Sequence, residues 1–136
     1  MKNVHERAPQ LRIDLDSSTP LARQIADGLR ALLVSGELAP GDRLPSSRRL
    51  GVDLGVHFNT VAQAYRELEG EGWLVLNRKQ GTFVAGREAV QPQASDKPLL
   101  LAAFREELIR LAARYRSQGL EADELLAIAK EEMNND

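Results

Sequence analysis

The sequence predicts a mostly α-helical fold with one small β-hairpin, and two observations support this prediction. Apolar residues recur at intervals of three or four in five separate segments, which is the spacing of one face of a helix. Between residues 73 and 85, two short runs of strand-forming residues flank a polar turn. With 136 residues, of which 43% are hydrophobic, the chain has room for one domain and an appendage.

Composition excludes several kinds of site. The absence of cysteine excludes disulfides, thiolate metal sites and a thiol nucleophile. No apolar run approaches the roughly 18 residues of a membrane span. The first ten residues also lack the apolar core of a signal peptide. We therefore expect a cytoplasmic protein that does not contact a membrane.

Charge is distributed unevenly along the chain. Residues 1–90 contain 12 basic and 11 acidic side chains, whereas residues 91–136 contain 6 basic and 9 acidic ones. The net charge of −2 argues mildly against a nucleic-acid partner, but its acidic excess lies in the C-terminal part. Because charges attract phosphates over about one Debye length, roughly 8–10 Å, local basic clusters matter more than the total.

The first elements are a predicted strand and a predicted helix. Leu11–Leu15 alternates apolar and polar residues, which favours a short strand. Asp16–Thr19 is a cluster of helix-capping residue types, and Pro20 suits a first helical turn. The apolar stripe that follows predicts a helix to about Ser35, ended by Gly36 as a C-terminal cap.

Two further helices follow. Pro40-Gly41 has the residues of a tight turn in which glycine takes a positive φ. Ser46 is then the predicted N-cap of a second helix, which Gly55 ends. The third helix is predicted over Asn59–Glu71, with glycines around its C-terminal end.

A hairpin and a linker complete the first domain. Trp73–Leu76 and Thr82–Ala85 are rich in strand formers, and the polar turn Asn77–Gly81 joins them. Gly86–Asp96 has the composition of a linker. The predicted domains are residues 1–86 with a core at 20–85, a linker at 87–97, and a two-helix dimerisation domain at 98–134.

The C-terminal part predicts a helical hairpin, Lys97–Ser117 and Leu120–Met133. Its apolar residues follow a 3-4-3-4 spacing typical of a short coiled coil, which is a better interpretation than a cofactor site. Two helices of about 35 residues in total cannot close a core alone. A second copy is the simplest partner, and the predicted dimer interface consists of Leu101, Phe104, Leu108, Leu111, Tyr115, Leu125 and Ile128.

The order helix, helix, tight turn, helix, hairpin is that of a winged helix-turn-helix. Serines and arginines open the second helix, where amide N–H groups and the helix dipole attract phosphate. The N-terminal residues of the third helix meet base edges in such folds, where Asn59 suits adenine and the Thr60 methyl suits thymine. The predicted DNA-binding residues are Ser46, Ser47, Arg48, Arg49, His57, Phe58, Asn59, Thr60, Gln63, Arg78, Lys79, Gln80 and Gly81.

Several short segments occur together at fixed spacings: Leu21–Leu33, Gly41–Ser46, Asn59–Val61, Tyr65–Glu69, Glu71-Gly72 and Gly81–Val84. On these segments the chain resembles the GntR family of bacterial regulators from about Pro20 to Ala85. The short two-helix tail is similar to that of the YtrA subfamily. The resemblance implies a homodimer formed through the C-terminal helices, a palindromic double-stranded operator, and in many members repression. The family's DNA contacts fall on Arg48, His57–Thr60 and Gln80-Gly81.

Three positions depart from the family pattern. His57 stands where a capping Ser or Thr is common, and Phe58 stands where Arg or Pro is common. Ala62 stands where many relatives have arginine. The operator sequence therefore does not follow by analogy.

Several of these residues have a second interpretation. Arg48 and Arg49 also fit a solvated helix face with Asp53 as partner. The basic wing tip at Arg78 would also keep a sheet edge soluble. Phe58 either stacks on a thymine methyl or packs within the protein.

The leading functional hypothesis is a homodimeric, sequence-specific transcriptional regulator, and the resemblance implies that it is a repressor. The alternative is a protein-interaction adaptor that uses a winged helix and does not bind DNA. No catalytic arrangement is evident, so we expect neither an enzyme nor a cofactor. With one other histidine, His5, we expect no metal site at His57. An effector of unidentified chemistry would sit at the dimer interface or between the domains, acting through the Gly86–Asp96 linker.

Overall fold

The structure is a computed structural model that describes residues 6–90 and 96–134. The chain divides into two compact units between residues 91 and 92. Each unit is described by itself. None of the described helices is long and apolar enough to cross a membrane.

The first unit is a winged helix. Three helices are followed by a hairpin, and a two-residue strand between the first two helices completes a small sheet. The elements are α1 (Leu21–Ser35), β1 (Arg43–Leu44), α2 (Ser47–Leu54), α3 (Phe58–Gly70), β2 (Leu74–Asn77) and β3 (Gly81–Val84). The sheet is antiparallel in the order β1-β3-β2.

One apolar core lies between the helices and the sheet. The stripe of α1 contributes Ile25 and Leu29, and the inner face of α3 contributes Val61 and Leu68, all fully buried. Leu50 of α2 closes the core on the side of the helix-turn-helix. The apolar residues that recur at helical spacing in the sequence of this unit are therefore the residues that are buried.

The local turn chemistry predicted from the sequence is confirmed. Gly36 ends α1 with a φ of 88°. The Asp42 N–H donates to the Ala39 carbonyl at 3.0 Å, which closes a turn around Pro40 and Gly41, whose φ is 90°. Strand β1 follows this turn and was not predicted, because two residues carry no periodicity.

The predicted strand at Leu11–Leu15 is wrong. Leu11 and Ile13 do pack against the core, so the alternation reflects burial, but the described residues form no strand beside them. The Gln24 side chain takes the place of a strand partner: its Oε1 accepts from the Asp14 N–H at 2.8 Å, and its Nε2 donates to the Asp14 carbonyl at 3.0 Å.

The predicted capping cluster before α1 is also wrong. Pro20 occupies the N-cap position, and no side chain caps the helix there. Ser17 instead accepts from the Thr19 N–H at 3.1 Å, within a turn of its own. The residues Asp16–Thr19 therefore form a turn before α1 and do not cap the first amides of that helix.

The beginning of the predicted linker at 87–97 packs on the first unit. Arg87–Ala89 forms one 3₁₀ turn, and the Arg87 guanidinium donates to the Leu33 carbonyl at 3.1 Å. This guanidinium also lies 5.7 Å from the centroid of the Trp73 ring. Residues 91–95 of the predicted linker lie outside the described residues.

The second unit is a pair of helices, α4 (Lys97–Arg116) and α5 (Ala122–Met133). The predicted start of the last helix at Leu120 is two residues too early, because the Glu121 N–H bonds to the Glu124 side chain at 2.9 Å and α5 begins after it. Within the described residues, neither helix has a buried side chain. Large apolar residues such as Phe104 (51% exposed) and Leu108 (45%) are accessible in this single copy.

Candidate nucleic-acid interface

A serine cap orients the first turn of α2. The Ser46 Oγ accepts a hydrogen bond from the Arg49 N–H at 3.1 Å, as the sequence predicted. The first-turn amides of a helix have no carbonyl partner within it and carry the positive end of its dipole. Ser47 and the exposed Arg48 stand at this end, so the α2 N-terminus suits an anionic ligand.

Helices α2 and α3 cross closely at Gly51. A Cβ at this position would lie 2.9 Å from the Val56 carbonyl oxygen and 3.2 Å from the Phe58 Cα. Both of those atoms are backbone, so only glycine allows this approach. The crossing brings the beginning of α3 next to the beginning of α2.

His57 caps the candidate recognition helix α3. Its Nδ1 accepts a hydrogen bond from the Asn59 N–H at 3.0 Å. The imidazole thereby does what a serine or threonine hydroxyl does at other N-caps. Asn59 is exposed at the first turn of α3, and Thr60 is half-buried beside it. The departure from the family pattern at His57 therefore leaves the helix capped.

Three side chains stack at the junction of α2 and α3. The His57 and Phe58 rings lie 4.5 Å apart between centroids, with 25° between their planes. The Arg48 guanidinium carbon lies over the Phe58 ring, 4.3 Å from its centroid. Phe58 is thus packed within the protein, in agreement with one of its two predicted interpretations.

The hairpin of β2 and β3 is the wing of this fold, and a cleft of about 670 Å³ separates α3 from it. Ser46 and Ser47 line it at the α2 N-terminus, and Arg78 and Gly81 line it on the wing. Arg66 lines it from α3. Hydroxyl, guanidinium and backbone donors from three elements thus surround one groove.

Two arginines of this cleft were not among the predicted residues. Arg66 stands on α3 beyond Ala62, and Arg43 belongs to the unpredicted strand β1. No ion pair holds either side chain within the described parts of the chain. Glu69 is the acidic residue of the lining. The sequence holds a signal that would have identified Arg66 and that the prediction did not use, which is its spacing of two helical turns from Asn59.

The wing tip is ordered by Asn77. Its Oδ1 accepts hydrogen bonds from the Lys79 N–H at 2.9 Å and from the Gln80 N–H at 3.0 Å. Gly81 has a φ of 106°, and a Cβ there would lie 3.1 Å from the Arg43 Nε. The three tip side chains, those of residues 78–80, are exposed.

Four of the predicted DNA-binding residues line this cleft: Ser46, Ser47, Arg78 and Gly81. The side chains of Arg48, His57 and Phe58 line a separate hollow at the junction of α2 and α3. Gln63 lines a small cavity beside the first turn of α1, together with Pro20 and Arg23. The Arg49 Nε lies 3.5 Å from Asp53 Oδ1, one turn along the same helix. The ion pair anticipated for the arginines of α2 therefore forms at Arg49.

Arg30 holds the far end of α3 against α1. Its Nε donates to Glu71 Oε1 at 3.0 Å, and its Nη2 lies 2.6 Å from Glu71 Oε2 and 3.0 Å from Glu67 Oε2. Its Nη1 donates to Asp27 at 2.9 Å. Hydrogen bonding to Glu71, assisted by Glu67, raises the pKa of Arg30 despite its partial burial. The cluster orients α3 without using the face that carries Asn59.

No three His, Asp or Glu side chains within residues 6–90 and 96–134 are arranged to hold a metal ion. The serine hydroxyls and the arginines at the start of α2 and in the cleft supply hydrogen-bond donors and positive charge. Such a surface can neutralise phosphates and present an amide side chain to base edges.

Comparison with known proteins agrees with this geometry. The sequence model described as "Bacterial regulatory proteins, gntR family" matches residues 21–84. The chain is 36% identical over 110 residues to an HTH-type transcriptional regulator, YhcF of Bacillus subtilis, covering 81% of this chain and 87% of YhcF. It is 41% identical over 75 residues to the transcriptional repressor YtrA of the same organism, covering 55% of this chain and 58% of YtrA.

A solved structure shows the same likeness. YtrA from Sulfolobus acidocaldarius, a GntR-family transcription factor, superposes with a TM-score of 0.54 at 38% identity. The match covers 72% of this chain and 97% of that one. The matched family and these relatives are transcription regulators and not enzymes, as the sequence predicted.

Proposed function

The chain belongs to the gntR family of bacterial regulatory proteins, as a DNA-binding transcription regulator of the YtrA type, and from that premise we propose that it is a homodimeric repressor of a palindromic operator. The observation that carries the proposal is the convergence of three donor-bearing elements on one groove. The start of α2, the outer face of α3 and the wing all line the cleft.

Each element has its own task in this proposal. Ser47 and Arg48 hold a phosphate at the N-terminus of α2, which sets the position of the protein on the duplex. Asn59 and Thr60, at the start of α3, read base edges in the major groove. The wing tip, residues 78–81, grips the backbone beside the groove. Phosphate contacts of this kind make binding steeply salt-dependent.

The tail supports the homodimer. Its apolar seam is accessible along α4, where Leu101, Phe104, Leu108 and Leu111 are each about half exposed. A soluble chain rarely leaves such a stripe uncovered. A second copy of the same helices covers it by two-fold symmetry, which makes the contact self-complementary. Two-fold symmetry then pairs two recognition helices with two half-sites about 34 Å apart, which requires a palindromic operator.

Repression is proposed from the likeness to YtrA of Bacillus subtilis, which is a transcriptional repressor. A dimer seated on a promoter acts by excluding other proteins from that DNA. An effector acting through the linker stays a prediction of the sequence, and the proposal does not depend on it.

The DNA-binding part is tested with the full-length chain and a duplex that it selects from a randomised pool. Arg48→Ala and Asn59→Ala should each weaken binding to this duplex by about 1–3 kcal/mol. Arg12→Ala is the matched control: Arg12 is exposed and lies outside the predicted DNA-binding residues, so its loss should leave the affinity unchanged. If neither first variant differs from the control, the interface is misplaced.

The homodimer is tested by sedimentation. We expect a dimer that Leu108→Glu converts to monomers, because a carboxylate cannot be buried unpaired in an apolar seam. Val34→Glu adds the same charge at an exposed apolar residue of α1 and should leave the dimer intact. A wild-type chain that is monomeric and binds no duplex in a salt-sensitive way would favour the protein-interaction adaptor instead.

A further inference from the structure

We propose that His57 and Phe58 form an aromatic platform that positions the Arg48 guanidinium for DNA. In this inference Phe58 is a positioning residue, which acts through Arg48 and does not itself contact a base. The inference rests on the proposed DNA-binding function and goes beyond it by explaining two residues that depart from the family pattern.

The platform is held at both ends. At one end, the hydrogen bond from the Asn59 N–H to the His57 Nδ1, 3.0 Å long, sets the orientation of the imidazole. The Phe58 ring stacks on that imidazole at 4.5 Å. At the other end, the close crossing of the helices at Gly51 brings Phe58 under Arg48. Helix capping and arginine placement are thereby coupled through one pair of rings.

The contact with the ring leaves the hydrogen-bonding capacity of Arg48 intact. A guanidinium has five N–H donors in its plane, and attraction to a ring face uses none of them. No carboxylate pairs with Arg48 in the described parts of the chain, whereas Arg49 is paired with Asp53. Of the two neighbouring arginines, Arg48 is therefore the one that is both held in place and available to a phosphate or base.

Holding Arg48 in the unbound protein should strengthen DNA binding. An unrestrained arginine loses much rotamer freedom when it is fixed against a ligand. A side chain that is already ordered loses less, so more of its interaction with DNA appears as affinity. The aromatic platform thus compensates in part for the absence of an arginine at Ala62 on α3.

A double-mutant cycle tests the coupling, with the full-length chain and the duplex that it selects. Phe58→Leu should raise Kd about two- to fivefold when Arg48 is present, the size of an exposed cation–π contact. In the Arg48→Ala background, Phe58→Leu should change Kd little. The Arg49→Ala background is the matched control, and there the full effect of Phe58→Leu should persist. Equal losses in the Arg48 and Arg48→Ala backgrounds would overturn the proposal.

A spectroscopic readout separates positioning from folding. In the wild-type chain without DNA, the Phe58 ring current should shift the NMR resonances of the Arg48 side chain upfield. Phe58→Tyr, which keeps the ring, should retain both the shift and the affinity, whereas Phe58→Leu should lose both. If Phe58→Leu fails to fold, the wild-type and Phe58→Tyr spectra decide, and an unshifted Arg48 overturns the proposal. If no duplex is selected at all, the proposed function fails, while the Arg48 shift still tests the platform.

Discussion

The Tyr65 hydroxyl on α3 donates a buried hydrogen bond to the Pro45 carbonyl at 2.7 Å, directly before the capping residue of α2. Tyr65 is 2% exposed, and Pro45 is also fully buried. The bond ties the middle of the candidate recognition helix to the residue that precedes the α2 N-terminus. It therefore fixes the distance between the helix proposed to read bases and the helix start proposed to hold phosphate.

Tyr65→Phe should lower the free energy of unfolding by about 1–3 kcal/mol at neutral pH, because it leaves the buried Pro45 carbonyl without its donor. Urea unfolding of the full-length chain measures this change. Tyr115→Phe removes the same hydroxyl from the half-exposed tail seam and is the matched control. Equal unfolding free energies for wild type and Tyr65→Phe would mean that the bond adds nothing to stability.

The unfolding free energies of wild type and Tyr65→Phe should converge at alkaline pH. Burial, with a smaller contribution from Glu6, raises the pKa of Tyr65 above its ordinary value. A tyrosine in the unfolded chain ionises near pH 10, so above that pH the unfolded state releases a proton that the folded state keeps. The contribution of Tyr65 to the free energy of unfolding is thus complete below about pH 10. Above that pH it decreases by up to about 1.4 kcal/mol per pH unit. Wild type should lose stability faster than Tyr65→Phe there.

Arg30→Met should destabilise the first unit by about 1–3 kcal/mol, since it removes charge-assisted bonds and leaves three carboxylates close together. Its control is Arg49→Met, which removes one exposed ion pair and should change stability by no more than about 0.5 kcal/mol. Thermal unfolding at low and high salt gives both values. The Arg30→Met loss should shrink in high salt, and a salt-independent loss would argue for packing instead.

Gly51→Ala should cost about 1–3 kcal/mol, because the new Cβ meets the Val56 carbonyl and must push α2 and α3 apart. The helix propensity of alanine favours the substitution and is outweighed only by this clash. At Gly70, on α3, an added Cβ would have no atom within 4 Å. Gly70→Ala should therefore be neutral or stabilising, so that of the two variants only Gly51→Ala should lower the free energy of unfolding in denaturant titrations.

Arg66→Gln and Glu69→Gln should change DNA affinity in opposite directions. Both residues line the cleft between α3 and the wing, and the two substitutions shift its charge by one unit each way. Arg66→Gln should weaken binding and lower the salt slope by about 0.9, the value for one phosphate contact, whereas Glu69→Gln should strengthen binding. Salt titrations with the selected duplex measure both, and parallel shifts would exclude this cleft from the interface.

The five α-helices within the described residues could be predicted from the sequence, because a helix depends on residues three and four positions apart. The same holds for the turn at Pro40-Gly41 and the Ser46 cap, whose hydrogen bonds span three residues. Family membership also followed from short segments at fixed spacings. DNA contact at the predicted residues stays a prediction.

Tertiary structure decided what depends on partners distant in the chain. Arg43 forms strand β1 because Phe83 pairs with it, and Leu11–Leu15 forms no strand because the Gln24 side chain occupies Asp14 instead. The cleft and the stack of Arg48 on Phe58 likewise require helices and wing to meet. The spacing of apolar residues in the sequence indicates which face of a segment is buried. Only the packing of the helices and the wing decides which side chains come together on the exposed face.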